Sequence, residues 1–339
     1  MNIWFNRTFS SIHAALRLIR EADTQGRFTL IASGRNPHAL ARLHAHHYMI
    51  EPEGLSDNHY VDWCLDFCVE HAIGVLVPGR EARNIAARQA EFAAYGIRVL
   101  SAASPDSLDV LNDKAAFYAA LDCPAAPAPE QRAFDTCQHF DAAYVELSAK
   151  YPALCIKPAI SVYGIGFRRI RTDRDAYDIL SSGMDHQINL DSLRTLLAAR
   201  PRIAPMLLME YLDGQEYSVD CLAEHGTLHC AIARRKPLSP GEGQIIDGQE
   251  NIQLACRKIT SQFGLNGYVN IQFRQGSTGL RTLEVNPRLS GGVAMACLAG
   301  PNLPYLGLCG FLDGYAALKI PPIVEGLRVG EINQAIILP

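Results

Sequence analysis

Gly267-Tyr268-Val269-Asn270-Ile271-Gln272-Phe273-Arg274, a five-residue turn, and Leu280-Arg281-Thr282-Leu283-Glu284-Val285-Asn286-Pro287-Arg288 form the stretch that decides how this chain is read. Strand side chains alternate between faces. Val269, Ile271 and Phe273 therefore share one face, as do Leu283 and Val285. The other face carries Asn270 and Gln272, with Thr282, Glu284 and Asn286 beside them. If the turn makes the two runs neighbours, Gln272 lies opposite or diagonal to Glu284, within side-chain reach. One carboxylate and two amide oxygens on one face suit a hard cation; zinc takes thiolate or imidazole instead. A single carboxylate is too little charge for an all-protein Mg²⁺ cage, but it is enough if phosphates complete the shell. Arg288 follows on the same side, placed to meet a phosphate as a planar fork. The same pattern also fits an ordinary hairpin with a polar solvent face.

Upstream, Leu154-Cys155-Ile156-Lys157 is an apolar strand ending in a lysine, followed by Pro158 and a loop with Gly164 and Gly166. Such a loop can lay backbone N–H groups over phosphates, with the lysine as a point charge. It is not G-x-x-x-x-G-K-[ST] and no helix follows the glycines, which excludes a P-loop. A glycine-containing hairpin with a snorkelling lysine fits equally well. A third stretch, Met206-Leu207-Leu208-Met209-Glu210-Tyr211-Leu212-Asp213-Gly214-Gln215-Glu216, is an apolar strand, a tight turn and the start of a second strand. Turn chemistry accounts for Asp213-Gly214 but does not require Glu210 or Glu216.

Around these stretches lie 339 residues with 31 Lys+Arg against 35 Asp+Glu, a net charge of −4, and 48 % hydrophobic residues. This is the balance of a globular protein with a sizeable core, and the length suggests about two or three domains. Mild acidity argues against a general nucleic-acid binder. There is no run of about 18 apolar residues, so no membrane span is expected. The N-terminus lacks a basic-then-apolar signal pattern. The ten cysteines include no C-x-x-C pair, and Cys155, Cys221 and Cys230 sit in apolar runs. Buried thiols in a reducing, cytoplasmic setting are the expectation.

The first hundred residues alternate strand and helix. Strands are expected over 2–5, 28–32, 74–77 and 96–100, and helices over 10–22, 37–44, 57–71 and 81–94. That alternation predicts a parallel sheet with helices on its faces. The first strand-to-helix turn, Asn6-Arg7-Thr8-Phe9-Ser10, lacks the glycines of a dinucleotide site. After a boundary near Ala103, a helix over 111–121 leads into Cys123-Pro124-Ala125-Ala126-Pro127-Ala128-Pro129, whose prolines enforce an extended connector. The second half holds strands over 154–157, 167–170, 206–210, 217–222, 228–233, 268–273 and 280–285, expected to pair antiparallel. Helices are expected over 136–149, 173–180, 190–199, 249–263 and 293–299. The fold class is thus α/β followed by α+β.

Taken in order, the motifs resemble those of the ATP-grasp superfamily. Asp113-Lys114 opening a helix before the proline connector, Lys157-Pro158 with the glycine loop, Glu210-Tyr211-Leu212 with Glu216, and Gln272 with Glu284-Val285-Asn286-Pro287-Arg288 follow the family's order. The carbamoyl-phosphate-synthetase-like branch is the nearest likeness, and the short ATP-grasp proteins of tellurium-resistance operons are similar. The resemblance implies a Rossmann-like pre-ATP-grasp domain at 1–105 and a two-lobed ATP-grasp domain at 106–339, with a small lobe about 123–210 and a large lobe about 211–339. It implies that Lys114 and Lys157 contact ATP phosphates. Glu210 and the Tyr211–Leu212 backbone would meet adenine, and Glu216 the ribose. Gln272, Glu284 and Asn286 would bind Mg²⁺, and Arg288 would hold the transferred phosphate or acyl phosphate. Arg234, Arg235 and Lys236 stand where relatives hold an anionic substrate, although a solvated basic strand end reads the same. The loop 161–166 has fewer glycines than in many relatives, and the segment 183–200 is extra.

The implied activity is an ATP-dependent carboxylate–amine ligase working through an acyl phosphate, with small-molecule carboxylate and amine substrates. A small-molecule kinase and an ATP-binding sensor or assembly protein are the alternatives. Substrate choice is expected from Pro78-Gly79-Arg80-Glu81 and the Arg234 region. Metal binding by His44, His46 and His47 is a further idea. The apolar run 332–338 offers a strand to the chain or to a partner, and a homodimer is one expected arrangement.

Overall fold

The computed structural model describes residues 1–339 except 8–11, 162–163, 184–185, 240, 333 and 339. Of the sequence expectations, Thr8, Phe9 and Ser10 of the first turn, Val162 and Tyr163 of the glycine loop, Met184 and Asp185 of the extra segment, and Asn333 of the apolar run lie outside the described residues.

The chain begins β1 (Asn2–Phe5), α1 (Ile12–Ala22), β2 (Thr29–Gly34), β3 (His47–Ile50), α2 (Asp57–Glu70), β4 (Ile73–Val77), α3 (Ala82–Ala87), α4 (Gln89–Ala94) and β5 (Arg98–Val99). The strands form one sheet in the order β3-β2-β1-β4-β5, with every pair parallel. Such a sheet is covered on both faces. Ile3 and Phe5 pack under α1, while Trp4, on the other face, packs with Tyr60, Cys64 and Phe67 of α2. Three local features differ from expectation. The helix over 81–94 breaks at Arg88 into α3 and α4. The helix over 37–44 shrinks to a 3₁₀ turn at Leu40–Leu43, and His47–Ile50, with its exposed ends, forms an unforeseen edge strand.

Next come α5 (Pro105–Asn112), α6 (Lys114–Ala120), β6 (Gln131–Phe134), α7 (Cys137–Ser148), β7 (Leu154–Pro158), β8 (Arg168–Arg171), α8 (Ala176–Ser181), β9 (Gln187–Asn189), α9 (Leu190–Ala198) and β10 (Met206–Glu210). The helix expected over 111–121 is cut at Asp113, whose carboxylate accepts from the N–H groups of Ala115 (2.8 Å) and Ala116 (3.2 Å) and so starts α6 afresh. The second sheet runs β6-β10-β7-β8-β9. Its pairs are antiparallel except β8 with β9, which is parallel, against the expectation of antiparallel pairing throughout. The segment between them, carrying α8, is long enough to allow that return.

The third sheet is built from β11 (Glu216–Glu224), β12 (Thr227–Arg235), β13 (Gln244–Ile246), β14 (Gly267–Gly276), β15 (Gly279–Asn286) and β16 (Arg328–Val329), in the order β15-β14-β11-β12-β13-β16. α10 (Glu250–Gln262) buries Ile252, Ala255 and Ile259 against one face. α11 (Val293–Cys297) and α12 (Leu303–Asp313) cover the other face, and the same apolar cluster runs on to Ile3, Phe5 and Leu16 of the first sheet's layer. The described residues of the run 332–338 join no strand, and Ile332 and Ile337 are exposed.

Candidate active site

β14 and β15 pair so that Gln272 lies directly opposite Glu284, and Asn270 opposite Asn286. The register slips between Gln272 and Phe273, one residue past the pair. This hairpin faces β7 across a cavity of ≈ 800 Å³ between the second and third sheets. Every predicted site residue lines that cavity except Arg235 and Asn286.

Two lysines stand over the carboxylate. Lys157 Nζ donates to Tyr118 Oη at 2.6 Å and lies 4.9 Å from its ring centroid. Tyr118 in turn donates to the Leu283 carbonyl at 2.7 Å, so α6 bridges β7 and β15. Lys114 Nζ donates to the Ser161 carbonyl at 2.7 Å and lies 3.7 Å from Glu284 Oε2. Burial lowers both ammonium pKa values against the opposing pull of Glu284, that of Lys157 to about 8. The Lys114 bond also ties α6 to the glycine loop. In that loop, Gly166 has a φ of 82°, and a Cβ there would lie 2.7 Å from the Pro158 ring.

Asn286 donates Nδ2 to Glu284 Oε1 at 3.0 Å, and its carbonyl accepts from Arg288 at 3.3 Å. It lines a second, smaller cavity rather than the first. Its amide would have to turn before its oxygen could join Gln272 and Glu284 on a cation. Arg288 lines both cavities.

Glu210, Tyr211 and Leu212, expected to meet the nucleotide base, line the cavity with partners of their own. The Glu210 side chain is buried and engaged. It accepts from Arg281 Nε and from the Glu130 N–H, each at 3.1 Å. Tyr211 N–H is held by the Ala153 carbonyl at 2.9 Å. The Tyr211 ring has the guanidinium of Arg169 at 4.5 Å and that of Arg274 at 5.9 Å. The Glu216 carboxylate pairs with Lys236 and, at 3.6 Å, with Arg274.

The basic run 234–236 splits by strand alternation. Arg235 turns away to Asp247 at 2.8 Å and stays outside the cavity. Arg234 is no solvated strand end but is buried. It donates to Asp220 (2.9 and 3.1 Å), Gln244 (2.6 Å), Ser218 (3.2 Å) and Ser290 (3.1 Å). A Cβ at Gly292 would lie 2.7 Å from its Cζ, so the turn before α11 packs on the guanidinium.

Tyr118, Arg274 and Ser290 were not among the predicted residues. Tyr118 follows Lys114 by one helical turn, and Arg274 follows Gln272 by one strand period, so both were legible by spacing. Elsewhere, His44 stacks on His13 at 6.2 Å and His46 Nδ1 accepts from the Leu30 N–H at 2.9 Å. Among the described residues no three His, Cys, Asp or Glu side chains gather as a metal-holding group.

Residues 202–335 match the family described as "ATP-grasp in the biosynthetic pathway with Ter operon". The chain is 26 % identical over 330 residues to the arginine-specific large chain of carbamoyl phosphate synthase from Bacillus subtilis, covering 94 % of this chain and 29 % of that one. It spans 18–29 % of the length of the carbamoyl phosphate synthase large chains it matches. In fold it resembles N5-carboxyaminoimidazole ribonucleotide synthetase, solved as an ADP complex. The TM-score is 0.66 at 12 % identity, covering 97 % of this chain and 79 % of that one. It also resembles an L-amino acid ligase from Bacillus licheniformis, with a TM-score of 0.62 at 16 % identity, covering 92 % and 74 %. The order of motifs and the three-sheet topology agree with these likenesses: residues 202–335 carry the match to an ATP-grasp family model, and the chain is similar to carbamoyl phosphate synthase large chains and shares the fold of these solved ligases.

Proposed function

We propose that the chain is an ATP-dependent carboxylate–amine ligase working through an acyl phosphate. The observation that carries this reading is the Gln272–Glu284 pair with Lys114 and Lys157 on one cavity. It places a hard-cation donor set beside cationic groups suited to phosphates. In this reading a substrate carboxylate oxygen attacks the γ-phosphorus of ATP and the bond to the β-phosphate oxygen breaks, releasing ADP. An amine then adds to the acyl carbon, and phosphate leaves as the C–N bond forms and the amine loses a proton. Lys114 and Lys157 hold the phosphates, and Arg288 holds the oxygens of the transferred group. Charge stabilisation of this kind is the main contribution to phosphoryl transfer, so no nucleophilic side chain is required. Mg²⁺ fits Gln272, Glu284 and a turned Asn286, where it would neutralise phosphate charge.

The base and ribose would lie toward Tyr211, Leu212 and Glu216, with the ribose hydroxyls drawing Glu216 from Lys236. The reading divides the chain at about 105, with lobes at about 123–210 and 211–339. This agrees with sheets that draw on residues 2–99, 131–210 and 216–329. A cytoplasmic setting belongs to the reading too, supported by ten cysteines that are all free thiols. No described helix is long and apolar enough to cross a membrane.

The test is phosphorus NMR of ATP, Mg²⁺ and the protein with pooled carboxylates and amines. Pool-dependent ADP and phosphate, lost in Glu284→Ala, are expected. AMP and pyrophosphate would overturn the acyl-phosphate route, and normal turnover in Glu284→Ala would overturn the site.

A further inference from the structure

The second cavity, of ≈ 350 Å³, has a different chemistry from the first. It lies at the C-terminal ends of β1 and β4, under the segment that joins β15 to α11. Its walls are largely apolar, with Phe5, Ile12, Val77, Leu100, Leu108 and Val293 among them. Among the described residues, charge in the lining is confined to Glu81, Arg83 and Arg288. Arg83 is already engaged by Asp109, with three contacts at 3.0–3.1 Å. Glu81 accepts from Asn84 at 2.7 Å and lies 3.5 Å from Arg80. It stands at a φ of 56°, a left-handed conformation that non-glycine residues rarely adopt and that is often kept at ligand sites.

Arg288 and Ser290 belong to the walls of both cavities. An acid whose carboxylate meets the Arg288 fork therefore presents its reacting oxygen to the first cavity. The rest of the molecule has two directions open to it. The first cavity is rimmed by lysines, arginines and carboxylates suited to a nucleotide and its metal. The second offers apolar contact that only an apolar body can use. Its volume falls within the range of about 300–1,000 Å³ typical of small-molecule sites. A body of one or two carbons would leave most of its wall without partners.

We infer that the carboxylate substrate carries a bulky apolar body, which seats in this second cavity while its carboxylate lies at Arg288. The inference rests on the ligase reading for the role of Arg288, and the test separates the two. Ala82 and Ala102 line the second cavity and not the first, and both are half-buried, Ala102 at the edge of the apolar cluster under α10. Ala82→Phe and Ala102→Leu narrow the cavity from two positions. ADP formation is measured with matched acids in the presence of a pooled amine set. Acetate and succinate serve as small or polar bodies, and 4-methylpentanoate and 3-phenylpropanoate as bulky apolar ones. Binding of the same acids is measured by calorimetry without turnover, and unchanged ATP affinity and melting temperature report an intact fold.

The expected result is turnover with the apolar acids and not the small ones, with KM for the acid raised about tenfold or more in the variants and KM for ATP unchanged. Turnover with acetate or succinate that the variants leave untouched overturns the inference and leaves the ligase reading standing. Binding of the apolar acids that the variants abolish, without ADP formation from any acid, supports the cavity assignment and overturns the ligase reading. Neither binding nor turnover with the apolar acids overturns the inference.

Discussion

Lys157 sits where a positive charge is costly before any phosphate arrives, which is why burial brings its pKa down to about 8. A bound polyphosphate restores the ordinary preference for the ammonium, so above pH 8 binding must take up a proton. The sign follows: ATP affinity is expected to be flat below about pH 8 and to fall about tenfold per pH unit above it. Isothermal calorimetry from pH 6.5 to 9.5 measures this. Lys157→Met should weaken binding at pH 7 and remove the slope; an unchanged slope in that variant would assign the titration to another group. Lys157 could be singled out in the sequence because a charge ending an apolar strand needs a reason. The tyrosine that holds it was equally available in the spacing of α6. What could not be read was the company of Glu210 and Glu216. Arg281 reaches Glu210 from the third sheet, a contact set by the docking of sheets, whereas Lys236 meets Glu216 across the β11–β12 hairpin of one sheet.

At the scale of elements, the turn before α11 is held by a buried ion pair rather than by its own hydrogen bonds alone. Breaking such a pair by removing one charge is costly because the other charge stays buried. Asp220→Asn or Arg234→Met should each lower stability by about 3–5 kcal/mol in urea titration. Replacing both with apolar residues should cost less than the sum of the two, since no lone charge remains. Gly292→Ala should destabilise by about 1–3 kcal/mol, because a methyl group meets the guanidinium. Additive losses in the double replacement would argue that the two side chains act separately. The pairing of Gln272 with Glu284 was legible because a short turn fixes a partner, but the slip past that pair sets Thr282 opposite Phe273 and buries it, and brings Leu283 to the cavity, against strict alternation. α12 was missed for the opposite reason: Leu303–Asp313 is apolar nearly all round and shows no helical stripe. The parallel pairing of β8 and β9 depends on a return path that local pattern does not encode.

Over the whole molecule the sheets do not share their cores equally. One apolar cluster joins the first sheet's layer to α11, α12 and one face of the third sheet, whereas the second sheet keeps a cluster of its own around Phe134, Phe140, Leu193 and Leu208. Residues 106–339 produced alone would uncover the sides of α11 and α12 that pack on α1, Tyr305 against Phe28 among them, and are expected to aggregate. Residues 131–210 should open as a separate unit in native-state hydrogen exchange, at lower free energy than the first sheet. A soluble, fully folded 106–339 fragment would show that the shared cluster is dispensable. The α/β-then-α+β order was legible from alternation and turn length. The shared core was not, because it joins residues about three hundred positions apart. The contact between Glu210 and Arg281 spans the second and third sheets and leaves the buried Glu210 carboxylate without its cation if Arg281 is lost. Descent should carry the mark of that dependence: in an alignment of this chain's kin, positions 210 and 281 are expected to covary, changing together or not at all.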